Sequence, residues 1–152
     1  MWKRVQDAGE TLAALLTRLT VGYGFYLTGK GKLSHLDGVI EYFSGLGVPL
    51  AHVQAPFVAG LEWLGGIGLL LGLATRPLAL LLASTMLVAL KLADGARWWE
   101  SWKASSEIVP VEVVSYTYLL MLLWLVARGG GPLSFDHLAV RWWRRKKLAS
   151  GV

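Results

Sequence analysis

The sequence predicts an all-α integral membrane protein: a four-helix transmembrane bundle with short amphipathic surface helices and both termini cytoplasmic. Three observations lead there. Only 16% of the 152 residues are charged and 55% are hydrophobic, whereas a water-soluble domain carries roughly 25% charged residues. The apolar residues gather into four runs, each near the roughly 20 residues that cross about 30 Å of hydrocarbon. Basic residues are shared unequally between the two sets of connecting segments, which sets orientation. The natural domain count is one, covering 1–152.

The first run spans about residues 11–28, the second 56–75, the third 78–93 and the fourth 109–127. Only Arg76 and Pro77 lie between the second and third, which predicts a tight antiparallel hairpin with Pro77 opening its second helix. With the termini inside, nine Lys and Arg residues fall on the cytoplasmic side and five outside, and Arg18 lies within the bilayer. The first outer segment places Leu36, Ile40 and Phe43 at helical spacing, with Asp37 and Glu41 on another face, as in a helix lying on a membrane. The second outer segment carries Trp98, Trp99 and Trp102, suited to an interfacial aromatic belt. A third surface helix is expected over 134–148, capped by Ser134. Its tail, Trp142, Trp143, Arg144, Arg145, Lys146 and Lys147, reads as a lipid-headgroup anchor. No nucleic-acid-binding fold surrounds this basic cluster, so nucleic acid is not an expected partner.

Cysteine is absent, which excludes disulfides, thiolate catalysis and iron–sulfur ligation within the chain. His35, His52 and His137 lack the spacing of a metal site. No cleavable signal follows the first apolar run. Gly24 to Lys30 spells G-x-x-x-x-G-K, but Gly31 stands where a phosphate-binding loop needs Ser or Thr, and no strand precedes it. Helix packing explains these glycines better, as it does Gly65, Gly66, Gly68 and Gly72 in the second run.

Ionisable residues within apolar runs are the informative ones, because an unpaired charge in hydrocarbon is costly. Arg18 should lie roughly 10 Å from the inner edge, Glu62 about 9 Å below the outer edge, and Lys91 about 10 Å below it. Glu62 and Lys91 are therefore expected to meet, with Arg18 reaching Glu62 from below. Glu112, Tyr116, Tyr23 and Lys32 fall in or near the outer half. Together these seven residues form the candidate polar pocket. Such a cluster either fixes helix register as a buried ion-pair network or holds a small ligand. A quinone headgroup suits the chemistry, since its carbonyls accept hydrogen bonds from Arg, Lys or Tyr and a carboxylate exchanges protons.

These residues resemble the DoxX family of small four-span membrane proteins. The match runs through Arg18, Gly22, Phe25, Gly29, Lys32 and Leu33, then through Glu62, Gly65, Gly66, Gly72 and the Ala-Thr-Arg turn at 74–76. It continues through Leu46-Gly47-Val48-Pro49, Gly129 to Gly131, Ser134 and Asp136, and covers roughly residues 12–137. Lys91 and Asp94 stand where the family leads one to expect a histidine. The resemblance implies a prokaryotic inner-membrane protein associated with quinone-linked redox complexes, related to the membrane subunit of a thiosulfate:quinone oxidoreductase. It also implies redox or sulfur-handling proteins as partners. The leading expectation is an oxidoreductase subunit rather than a stand-alone enzyme. A membrane anchor or assembly factor is the alternative, and a proton-conducting or transport protein ranks third. Besides the lipid bilayer, a second copy of the chain is a possible partner.

Overall fold

The computed structural model describes residues 2–141, and no strand occurs among them. The first helix, α1, runs unbroken over Trp2–Ser34, about 50 Å at 1.5 Å per residue. The Gly24–Lys30 stretch is helical throughout, so its glycines form no phosphate-binding loop. The same continuity carries Lys32 into the last turn of α1. Helix α2, Leu36–Gly45, follows at once and buries no residue completely.

Helix α3 spans Ala51–Leu71 and helix α4 spans Thr75–Leu92. The hairpin between them turns at Gly72–Ala74, earlier than the Arg76–Pro77 turn the sequence suggests. Gly72 adopts φ 71° and closes α3 through bonds from Gly72 N–H to Leu69 O and from Leu73 N–H to Gly68 O. A residue without Cβ enters this left-handed conformation cheaply. Pro77 then sits in the first turn of α4, where a missing N–H costs nothing.

A short helix, α5, covers Gly95–Glu100. A 3₁₀ turn at Pro110–Glu112 precedes α6, Val114–Arg128. The fourth apolar run therefore enters its helix at Val114 rather than near Val109, because the residues around Pro110 are extended or 3₁₀. Residues 135–141 are helical again, and the Ser134 hydroxyl accepts the His137 N–H at 3.2 Å as a cap. The proposed headgroup anchor, Trp142, Trp143, Arg144, Arg145, Lys146 and Lys147, lies outside the described residues.

Helix α1 packs along α3, and α4 along α6; α3 against α4 and α1 against α6 join the two pairs. Glycine sets the approach of α1 to α3. A Cβ added at Gly66 would lie 2.7 Å from the Gly22 carbonyl oxygen, so the two backbones touch. Gly65 and Gly68 make room for Leu82 and Leu78 of α4. Val21, Phe25, Leu69, Leu82, Leu122 and Leu125 fill the centre.

Many large side chains face outward, among them Leu12, Leu16 and Leu19 on α1, Leu64 on α3, Leu80, Leu81 and Leu87 on α4, and Leu120 and Leu123 on α6. Glycines at the helix contacts and leucines on the outer surface is an arrangement hydrocarbon favours, where close packing replaces the hydrophobic effect between helices. Helices α3 and α4 are each long and apolar enough to cross a membrane; α6 is apolar but only 15 residues long.

Candidate functional site

An amphipathic cavity of about 610 Å³ opens between α2 and α4, with α3 as its floor. It exists because α2 leans on α3 and has no comparable packing with α4. Val39, Phe43, Val58 and Met86 supply apolar wall, and Glu62 supplies the deepest charge.

Glu62 is 1% exposed at the middle of α3. Its Oε1 lies 2.6 Å from Lys32 Nζ, while Oε2 is buried with no hydrogen-bond partner. The Lys32 side chain is 31% exposed, so it links the buried carboxylate to the rim. Burying a carboxylate is tolerable when it is paired. Leaving one of its oxygens open keeps a strong acceptor position available in a site shielded from water.

Of the seven residues the sequence puts forward, the structure brings Lys32 and Glu62 together here. Arg18, Tyr23, Lys91, Glu112 and Tyr116 do not line the cavity. Counted from the turn at Gly72, Glu62 is level with Ser84 and Thr85, both of which do line it. Lys91 lies nearly two turns beyond and is exposed. Tyr23 and Glu112 are exposed as well, and Tyr116 stacks 6.0 Å from Trp98.

Arg18 belongs to a separate cluster by the α3–α4 turn. Its Nη1 donates to Gly130 O at 3.0 Å and its Nη2 to Leu133 O at 3.2 Å. Beside it, the Asp136 carboxylate accepts the Ala74 N–H at 2.7 Å and the Thr75 N–H at 2.8 Å. Ala74 has no side chain with which to cap α4, so a distant aspartate does it. These contacts tie α1, the hairpin turn and the segment after α6 into one knot, an architectural role. At the same end, Glu10 pairs with Arg128 at 2.5 Å, and Arg128 lies over the Trp124 ring.

Sequence reasoning did not place His35, Gln54, Ser84, Thr85 and Asp94 on the cavity. The sequence marks Asp94, with Lys91, only for standing where the family leads one to expect a histidine. In the structure its Oδ2 accepts the Ser115 hydroxyl at 2.5 Å, binding the end of α4 to the start of α6. The missing signal was the path of α2, whose amphipathic spacing shows that it has an apolar face and not which helices that face covers. No group of three metal-ligating side chains occurs among the described residues.

Comparison with known proteins adds to this geometry. The chain is 33% identical over 79 residues to CatD of Bacillus subtilis, a proposed oxidoreductase; the match covers 52% of this chain and 58% of that one. It is 29% identical over 146 residues to the inner membrane protein YqjF of Escherichia coli, covering 93% of this chain and 99% of that one. The inner membrane protein YphA of the same organism is 25% identical over 134 residues, 86% of this chain and 92% of its own. No solved structure matches. Residues 13–95, more than half the chain and including Arg18, Lys32 and Glu62, match the DoxX family model, and the chain belongs to the DoxX family.

Proposed function

We propose that the chain is a four-span inner-membrane subunit of a quinone-linked redox system, and that the Glu62 cavity receives the quinone headgroup. The observation that carries this reading is the open Oε2 of Glu62, buried at the base of a cavity whose walls are mostly apolar. Cavities of a few hundred Å³ with a few convergent polar groups are typical of small-molecule sites. Ionisable groups at membrane depth favour the same assignment.

The residues present fit the group. Val58, Met86 and Phe43 can hold a ring and the first tail units, and Lys32 can donate to a ring oxygen. The cofactor would supply two-electron, two-proton chemistry that the side chains lack. Within that division of labour Glu62 accepts a proton or hydrogen bond at Oε2, Lys32 orients the ring oxygen, and α2 keeps bulk water from the pair. The relative named as a proposed oxidoreductase points the same way. Electrons must be exchanged with a partner, which accepts them when Glu62 takes a proton from the reduced ligand, and Trp99 and Trp102, 68% and 59% exposed on and just after α5, offer it a surface.

The same tryptophans favour a second reading, a membrane anchor for a redox or sulfur-handling enzyme. One experiment separates the two. Gentle extraction from native membrane, followed by mass spectrometry of co-eluting lipids and proteins, is expected to give about one quinone per chain. The substitution Val58→Trp, which fills the cavity, is expected to displace it without loss of helix content. A stoichiometric protein partner with no quinone would establish the anchor in place of the quinone site.

A further inference from the structure

We infer that the cavity holds the reduced, hydroxyl-bearing form of its ligand in preference to the oxidised, carbonyl-bearing form. This rests on the quinone reading above and concerns the direction of the hydrogen bonds the cavity offers.

The cavity's polar atoms are mostly acceptors, because most of the nearby donors are already spent. The Ser84 hydroxyl donates to Leu81 O at 2.6 Å, and the Thr85 hydroxyl to Leu82 O at 2.8 Å. Each oxygen keeps a lone pair but has no proton left to give. One N–H of the Gln54 amide donates to Pro49 O at 2.7 Å, which leaves its second N–H and its carbonyl oxygen open. His35 Nδ1 lies 3.2 Å from the Gly31 carbonyl oxygen, which can only accept, so in the neutral ring Nε2 is the acceptor. Asp94 takes the Ser115 proton and gives none. Among the described lining side chains, Lys32, the exposed Tyr42 hydroxyl and the second Gln54 N–H are the donors that remain, fewer than the acceptors.

The decisive pair is Lys32 and Glu62. A hydroxyl placed between them accepts from the Lys32 ammonium and donates to Glu62 Oε2, so both groups are satisfied. A carbonyl oxygen in that place accepts from Lys32 equally well but sets its lone pairs against those of Oε2. Held in an ion pair, the carboxylate is an acceptor only, and a buried acceptor left facing another acceptor bears its full desolvation cost. Sites built to hydrogen-bond a hydroxyl reject analogues lacking it for this reason.

The test is equilibrium dialysis of the purified full chain in lipid nanodiscs, kept anaerobic. The probe is a short-tailed benzoquinone, added either oxidised or fully reduced, with bound ligand measured by extraction. The reduced form is expected to bind at least about tenfold more tightly, on the order of one well-placed hydrogen bond. In Glu62→Gln, which keeps the volume and offers an NH₂ donor, the preference should vanish or invert. Thr85→Val, which removes one acceptor and perturbs folding less, should reduce it partially. Equal binding of both forms by the native chain, or a preference unchanged in Glu62→Gln, overturns the inference and leaves the quinone site standing. Failure of both forms to bind overturns the inference and the quinone site together.

Discussion

At the scale of single residues, the Lys32–Glu62 pair is the most sensitive position. Replacing Lys32 by Met strands a carboxylate that is 1% exposed. A loss of about 3 kcal/mol is expected, at the low end for a broken buried pair because Lys32 reaches the rim. Lys32→Met combined with Glu62→Leu should recover much of that stability, read by thermal unfolding in detergent, yet abolish ligand binding. If the double variant still binds quinone, the pair is architecture alone. Asp136→Ala removes the two bonds that cap α4 and should cost about 1–2 kcal/mol while leaving ligand affinity unchanged. Glu62 is legible in the sequence as a charge within an apolar run, whereas Lys32 falls beyond the end of the first run. Their pairing is not legible, because Lys32 lies outside the 11–28 run and counting from the run ends matches Lys91 to Glu62 in depth. The unbroken length of α1 brings Lys32 onto the helix, and the early turn at Gly72 sets Lys91 beyond the level of Glu62.

At the scale of elements, glycine governs which helices meet. Gly22 and Gly66 let α1 and α3 touch backbone to backbone. Gly66→Leu is expected to separate them and cost at least about 3 kcal/mol, since backbone cannot yield as a flexible side chain does. Gly60, with nothing within 4 Å of an added Cβ, should accept Ala with little change and serves as the control. Thermal melting of the two variants side by side checks this. The existence of α2, α3, α4 and α6 could be read from apolar spacing and length. Their ends depended on individual turn conformations: Gly72 at φ 71°, Ala74 at φ 45° and the Pro110 turn. Periodicity carries no information about such turns.

At the scale of the whole molecule, outward leucines over glycine-lined helix contacts agree with a bundle immersed in lipid. The proposed topology puts α2 and α5 on the outer face and the α3–α4 turn inside. Because the chain has no cysteine, each position can be tested alone. Ser105→Cys should react with a membrane-impermeant maleimide added to intact spheroplasts, and Arg76→Cys only after lysis. The reverse pattern would invert the orientation. The all-helical class followed from composition and run length, whereas the cavity came from the way α2 folds back, a long-range relation that no local pattern encodes. One consequence concerns biosynthesis. The carboxylate that completes the first turn of α4 lies about sixty residues downstream of it. The α3–α4 hairpin therefore leaves the ribosome before the group that caps the start of α4 has been made. Chains interrupted before that point lack the acceptor for the Ala74 and Thr75 N–H groups and leave the start of α4 uncapped.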